Sequence, residues 1–245
     1  MSLLISILQL CLAILTLPLH ILSFLGIWSV ISRKIFPYIL APLMKSYNNV
    51  MDATKKDLFS NLGDFAGNSK EIKLLEIGCG TGANFKFYPN NCRVTCLDIN
   101  PNFEKFLVKS QAENSHLKFE GSLVASADNM KQVADASQDV VVCTLVVCSV
   151  PNTPKVLEEV WRVLKPGGAF FFLEHVACSD EATWLCFFQR ILNPTWKLVF
   201  DGCNLRKFTW KDLENAKFST LKLRHIQART MIKPVTPHIV GYAVK

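Results

Sequence analysis

Leu74-Leu75-Glu76-Ile77-Gly78-Cys79-Gly80-Thr81-Gly82 is the segment that says most about the architecture of this chain. Its apolar start followed by glycines predicts a buried strand that ends in a tight turn. Gly78, Gly80 and Gly82 have no Cβ, so they allow positive φ angles and a close approach of a ligand to the backbone. Residues 83–87 are expected to begin a helix whose free N–H groups face that ligand.

The spacing of these glycines narrows the class of ligand. It is G-x-G-x-G with an acid two residues before the first glycine, and so differs from the G-x-G-x-x-G of dinucleotide sites. A helix N-terminus stabilises an anion, whereas Glu76 at the strand end suits an ammonium or sulfonium group. Both charges occur on the amino-acid part of S-adenosylmethionine, which is therefore the predicted cofactor.

A second acid, Asp98, ends the strand-like run 93–97. It follows the glycines by about 20 residues, the distance at which a strand-end carboxylate hydrogen-bonds ribose hydroxyls in this architecture. Alternatively, Asp98 caps a helix predicted over 101–113, and Asn100 competes for that position. Because the glycine turn and the second strand occur together, we favour the ribose role.

The ordered motifs of residues 70–175 resemble those of class I S-adenosylmethionine-dependent methyltransferases. The matching positions are residues 76–82, Asp98, 139–143 and 164–168. More closely, CGTGANFKFYP, RVTCLD, NPNFEKFL, DVVVCTLVVCSV and PHIVGYAVK resemble the methyltransferase-like seven family, and this resemblance covers nearly the whole chain. That family consists of membrane-associated alkyl-thiol S-methyltransferases.

The resemblance implies an α/β fold with the Rossmann-like seven-stranded sheet of class I methyltransferases and an N-terminal hydrophobic membrane anchor. It implies a small apolar thiol as substrate, and a location at the endoplasmic reticulum membrane and the lipid droplet, with the catalytic domain in the cytosol. In this fold an acid or small residue after the third strand lies beside the adenine, so Ala127 and Asp128 are candidates. An exposed loop acid is an almost equally good interpretation of Asp128.

The remaining elements follow from hydrophobic patterning. Residues 48–63 are predicted to form a helix over the cofactor cleft, and Gly167-Gly168 to stop a helix over 154–164. Further strands are predicted over 139–145 and 169–174, followed by an antiparallel pair over 221–226 and 238–244.

His175 directly follows the fifth predicted strand and is a candidate proton acceptor, although a lone histidine is more often structural. The aromatic segment 183–200 lies where this superfamily inserts substrate-binding elements. We favour a membrane-facing surface or an apolar pocket wall for it over core packing.

The first 45 residues are predicted to form a membrane anchor and interfacial segment, and residues 46–245 the catalytic domain. Residues 2–32 contain no charge, and 3–31 would form a helix of about 43 Å against a hydrocarbon core of about 30 Å. A cleavable signal peptide is not expected, because a basic start and a small-residue cleavage site are missing.

The sequence is compatible with two shapes of this anchor. Pro18 divides the run, so a tilted spanning helix and a re-entrant hairpin are both possible. Arg33, Lys34 and Lys45 place the following chain in the cytosol. Pro37 and Pro42 are expected to prevent one long helix.

Charge and cysteine content argue against other classes. The net charge of +7 is spread along the chain, so we expect no nucleic-acid partner. The nine cysteines form no C-x-x-C pair, which favours reduced structural thiols and no metal site. The tetrad that holds a planar nitrogen in amide and nucleobase N-methyltransferases is also missing after the fourth strand.

Acceptor chemistry favours a soft nucleophile. A thiol of pKa about 8.5 is deprotonated at pH 7 at a cost of about 2 kcal/mol, against about 4.6 kcal/mol for an alkyl amine of pKa about 10.4. A site without an assured base can therefore methylate thiols. Two alternatives stay open: a lipid or quinone methyltransferase, and a non-catalytic lipid-droplet or endoplasmic reticulum membrane protein with a vestigial fold.

Overall fold

A seven-stranded sheet in the order β3-β2-β1-β4-β5-β7-β6 forms the centre of the computed structural model, which describes residues 2–67, 71–230 and 232–245. The strands are β1 Ile72–Ile77, β2 Cys92–Asp98, β3 Lys118–Val124, β4 Gln138–Thr144, β5 Leu164–His175, β6 Thr220–Gln227 and β7 Pro237–Val244. The helices are α1 Ser2–Leu15, α2 Leu17–Phe24, α3 Ile27–Phe59, α4 Glu104–Glu113, α5 Thr153–Val163, α6 Trp184–Val199 and α7 Thr209–Glu214.

The strand order determines where a ligand can bind. Strands β1 to β5 run parallel to one another, and β7 runs antiparallel between β5 and β6. The chain order reverses between β1 and β4, and ligands of such sheets bind at this point, outside the carboxyl ends of the strands. Ile77 is in register with Leu97 and Cys143, so the segments that follow β1, β2 and β4 meet at one edge.

The sheet separates two apolar cores. Alternate residues of β4 face opposite sides, with Val140 and Val142 in one core and Val141 and Cys143 in the other. All four are fully buried, as expected for a central parallel strand. The strands predicted over 93–97, 139–145, 169–174, 221–226 and 238–244 are confirmed. The last two form the predicted antiparallel pair.

Helix α3 runs for 33 residues through both Pro37 and Pro42, so the expectation that these prolines prevent one long helix was wrong. A proline inside a helix costs about 3 kcal/mol, because it removes a hydrogen bond and crowds the preceding turn. Tertiary packing opposes this cost: Pro37 is itself buried, and the later turns bury residues such as Met51 and Leu58. The predicted boundary between the anchor (residues 1–45) and the catalytic domain (residues 46–245) lies inside this helix.

The N-terminal helices lie against α6. The side-chain amide of Gln9 donates to the carbonyl of Arg190, and the indole N–H of Trp28 donates to the carbonyl of Leu198. Within the described residues no single helix is both long and apolar enough to cross a membrane. The helix pair Leu3–Leu15 and Leu17–Phe24 passes that test together but is bent by 77°.

Two local predictions were wrong. The glycine turn is followed by a single 3-10 turn, Phe85–Phe87, rather than by an α-helix, because Tyr88 is already extended and β2 begins at Cys92. Gly167-Gly168 do not stop α5, which ends at Val163; β5 begins at the next residue and passes through both glycines. A register shift on β4 accommodates this irregular part of the strand.

Candidate active site

The glycine loop, residues 78–82, connects β1 to the rest of the site. Gly78, Gly80 and Gly82 have φ angles of 65°, 49° and 70°, which L side chains rarely adopt. A Cβ on Gly78 would lie 2.1 Å from Cγ2 of Val146, whereas one on Gly80 would meet its nearest atom at 3.8 Å. Gly78 is therefore needed for close packing, and the backbone at Gly80 has room above it.

Asp98 is joined to this loop. Its Oδ2 accepts the N–H of Gly80 at 2.9 Å, and its Oδ1 accepts the N–H of Asn100 at 2.9 Å. Asn100 accepts the N–H of Asn102 and so takes the capping position that the sequence left open between the two residues. Burial raises the pKa of Asp98. Its carboxylate oxygens keep further lone pairs, which suit hydroxyl donors.

Glu76 is buried and bound by neighbouring side chains. Its Oε1 accepts from the Asn84 amide at 2.7 Å, and its Oε2 accepts from the Tyr88 hydroxyl at 2.8 Å. Burial raises the pKa of Glu76 to about 7. Both carboxylate oxygens thus have protein donors, and the predicted contact of Glu76 with an ammonium or sulfonium group remains a prediction.

The second half of α3 covers the glycine loop. The Lys55 ammonium donates to Asn84 at 2.6 Å and to Asn48 at 2.7 Å, and the Asn48 amide donates to the carbonyl of Ala83 at 2.7 Å. Lys55 is 1% exposed, and burial lowers its pKa to about 8. Of the helix predicted over residues 48–63, residues 48–59 are helical as the end of the longer α3, and its contacts with Ala83 and Asn84 were not foreseen.

Glu174 holds the segment that follows β4. Its carboxylate accepts the N–H groups of Val146, Val147 and Cys148, at 3.0, 3.1 and 3.4 Å. Since Val146 also contacts Gly78, Glu174 positions this segment against the glycine loop. The sequence placed Glu174 at the edge of the sheet but indicated no role for it.

His175 lies next to two thiols. Its Nε2 is 3.0 Å from Sγ of Cys203, which is 3.6 Å from Sγ of Cys148. The indole N–H of Trp196 donates to Sγ of Cys203 at 3.2 Å. All nine cysteines are free thiols. Sequence reasoning interpreted Cys148 as a structural thiol and gave Cys203 no role; the available signal was that Cys148 closely follows the carboxyl end of β4.

Two aspartates border the site. Asp128 is half-buried and accepts from the Ser126 hydroxyl at 2.6 Å. The N–H of Ala125 donates to the carbonyl of Asp98, so the loop of Asp128 lies beside the ribose candidate, and the adenine role stays a prediction. Asp201, missed at the sequence level, is close enough to raise the pKa of Asp98, although less than burial does.

Comparison with known proteins identifies relatives along the whole chain. Residues 75–172 match a family model described as a methyltransferase domain. The human thiol S-methyltransferase TMT1A is 61% identical over 224 residues, which are 91% of each chain. The rat thiol S-methyltransferase TMT1B is 54% identical over 245 residues, the full length of both chains.

A solved structure supports the architecture independently. The CurJ carbon methyltransferase superimposes with a TM-score of 0.60 at 16% identity, over 82% of this chain and 58% of that one. At this identity the likeness concerns the fold, a Rossmann-like class I methyltransferase sheet.

Proposed function

The chain belongs to the family of thiol S-methyltransferases, and from this premise we propose that it transfers a methyl group from S-adenosylmethionine to the sulfur of a small alkyl thiol. It is an S-adenosylmethionine-dependent methyltransferase. The observation that carries the choice of acceptor is the 61% identity to a thiol S-methyltransferase over 91% of both chains.

The residues of the site fit the cofactor. The room above Gly80 and the half-buried carboxylate of Asp98 would hold the ribose, whose hydroxyls are donors. The charged network of Glu76 and Lys55 shapes the loop that would face the amino-acid part. The bound cofactor supplies a methyl group that is already activated on a sulfonium, so the protein contributes mainly positioning.

The acceptor side is formed by thiols, aromatic rings and a buried histidine. Trp196 and Phe200 stack with ring centroids 4.1 Å apart beside Cys203. Such surroundings would bind an apolar chain and exclude water from its sulfur. In the metal-free site His175 is the candidate proton acceptor, with its Nε2 3.0 Å from Sγ of Cys203.

Methyl transfer from labelled S-adenosylmethionine to a small alkyl thiol tests this function. We expect transfer by the detergent-solubilised wild type and loss of transfer in Asp98→Ala, with cofactor affinity lowered at least about 100-fold. Glu158→Ala, at an exposed acid of α5, is the matched control and should stay active. Cofactor binding without thiol methylation would contradict the proposal and turn the search to lipids and quinones.

We also propose that the protein attaches to a membrane through an apolar surface formed by α1, α2, the start of α3 and α6. Phe24, Leu15 and Trp184 are 91%, 80% and 75% exposed, values unusual for large apolar side chains in contact with water. The other exposed members are Leu3, Leu4, Ile7, Leu10, Ile14, Leu17, Ile21, Leu25, Ile27, Val30, Ile31, Ile35, Ile39 and Phe188. Exposed Arg33 and Lys34 border this surface and would contact anionic headgroups.

The bend between α1 and α2 supports insertion into one leaflet. A segment that enters and leaves on the same side also suits the lipid monolayer of a droplet, which a spanning helix does not. The endoplasmic reticulum membrane and the lipid droplet are therefore the proposed locations, with the catalytic domain in the cytosol.

Flotation with phosphatidylcholine vesicles and with phospholipid-coated triglyceride droplets tests the attachment. Wild type should float with both, and a Leu15→Ser, Phe24→Ser, Trp184→Ser variant should bind at least about tenfold less. A variant with three exposed polar substitutions, Lys109→Ser, Glu113→Ser and Glu158→Ser, is the control. Equal flotation of the two variants would contradict attachment through this apolar surface. Absence of wild-type flotation with the droplets would contradict the droplet location.

A further inference from the structure

Cys148, His175 and Cys203 form a cluster of three potential metal ligands. One ligand atom from each lies within 4.8 Å of the other two. Cys148 and His175 are buried and Cys203 is half-buried. The ligands come from three segments that are distant in the sequence, which explains why ligand spacing along the chain predicts no metal site. Two thiolates and an imidazole are donors that zinc prefers in proteins.

The distances within the cluster are close to those of a tetrahedral zinc centre. Bond lengths of about 2.3 Å to sulfur and about 2.0 Å to nitrogen place two sulfurs about 3.8 Å apart, and a sulfur and a nitrogen about 3.5 Å apart. The two sulfurs here are 3.6 Å apart, and Sγ of Cys203 is 3.0 Å from Nε2 of His175. A small outward shift of one side chain would complete the geometry.

Two hydrogen-bond donors lie beside the sulfurs of the cluster. The Trp196 indole N–H donates to Sγ of Cys203, and the Lys207 ammonium donates to the carbonyls of Val147 and Val150 beside Cys148. Two cysteine thiolates neutralise a divalent zinc ion, so the nearby lysine offsets the charge of one additional thiolate.

The position of the cluster connects it to methyl transfer. Cys148 follows Val146 by two residues, and Val146 packs against Gly78 of the glycine loop. We propose that Cys148, His175 and Cys203 bind a zinc ion, and that its fourth coordination position accepts the sulfur of the substrate thiol. The second part rests on the proposed function; the first does not.

Binding of the substrate to the zinc ion would release one proton from its thiol. The S–H bond of the substrate breaks, a zinc–sulfur bond forms, and the proton goes to water. The metal stabilises the thiolate, which is the nucleophilic form, so no protein base is required. His175 then acts as a ligand, and this role replaces that of proton acceptor.

Metal content tests the first part without any assay of activity. The full chain, purified in detergent with a phosphine reductant, is loaded with zinc, passed over a chelating resin and analysed by elemental mass spectrometry. We expect about one zinc ion per wild-type chain and at least a tenfold decrease in Cys148→Ala and Cys203→Ala. Cys186→Ala, at another buried thiol, is the control and should retain the metal.

Cobalt substitution tests the open position. Wild type loaded with Co²⁺ should show thiolate-to-cobalt absorption, and addition of 1-butanethiol should intensify it. Wild type without stoichiometric zinc, or equal zinc in Cys203→Ala and Cys186→Ala, would overturn the metal site. An unchanged cobalt spectrum with the thiol would overturn substrate coordination. Full thiol methylation after removal of zinc would leave the proposed function intact and refute only the metal's role.

Discussion

Nζ of Lys55 lies 2.6 Å from Oδ1 of Asn84, and this hydrogen bond joins α3 to the turn that follows the glycine loop. Asn84 in turn donates to Glu76, so a buried cation, an amide and a buried carboxylate form one chain of contacts under the predicted cofactor site. A helix that begins among exposed apolar residues therefore ends as part of the catalytic domain.

Replacement of Lys55 tests the contribution of this link to stability. Lys55→Met should lower the free energy of unfolding by about 2 kcal/mol, because Asn48 and Asn84 lose a charged, buried donor. Lys56→Met, at a neighbouring lysine in an exposed ion pair, should change it by less than about 0.5 kcal/mol. Urea unfolding followed by tryptophan fluorescence measures both, and equal losses would contradict the role of Lys55.

Glu76 should make stability depend on pH. Its pKa is raised from 4.5 to about 7 in the folded state, mainly by burial, so the folded chain holds this proton more tightly than the unfolded chain. Stability from this group is therefore full below pH 4.5, decreases as the pH rises towards 7, and is constant above that, with a total change of at most about 3 kcal/mol.

The variant Glu76→Gln isolates this effect. The Tyr88 hydroxyl can rotate to accept from the new amide, so the local packing should survive. Melting temperatures of wild type and variant, measured between pH 4.5 and 8, should converge at low pH and diverge in favour of the variant at high pH. Parallel curves would mean that Glu76 does not titrate in this range.

The glycine loop should tolerate no side chain at its first position. Gly78→Ala places a Cβ 2.1 Å from Cγ2 of Val146 at a φ of 65°, so we expect loss of cofactor binding and a melting temperature lower by several degrees. Gly63→Ala is the matched control, because its Cβ would meet no atom within 4 Å. Isothermal titration with S-adenosylhomocysteine measures binding; normal affinity in Gly78→Ala would be inconsistent with the tight loop.

Deletion of residues 1–32 separates attachment from the cofactor site. The contacts of this segment through Gln9 and Trp28 are to α6, whereas Asn48 and Lys55 remain in place. We expect a chain that no longer floats with vesicles and binds S-adenosylhomocysteine within about threefold of wild type, with slower thiol turnover. Loss of binding together with attachment would show that the first helices are part of the fold.

The parallel strands and the glycine loop could be predicted because their signals are local. The apolar runs that end in Glu76 and Asp98 give both the strands and the edge at which they meet. The continuous helix through Pro37 and Pro42 could not be predicted, since tertiary packing of its buried residues outweighs a local helix-breaking preference.

The contacts within the site also could not be predicted from the sequence. Asn84 and Lys55 pair across 29 positions, and Cys148 and Cys203 meet across 55. Distances of this kind follow from the way the chain folds back on itself, and no short spacing pattern records them. The residues at strand ends were thus found, whereas their partners were not.

Helix α6 contacts the N-terminal helices along its length and reaches Cys203 through Trp196. On the proposed attachment, an apolar thiol dissolved in lipid reaches the site by lateral diffusion along this helix. The concentration that governs turnover is then the mole fraction of thiol in the lipid phase. Added phospholipid at constant total thiol should slow the enzyme by surface dilution, and longer alkyl chains should raise kcat/KM in proportion to their partition coefficients.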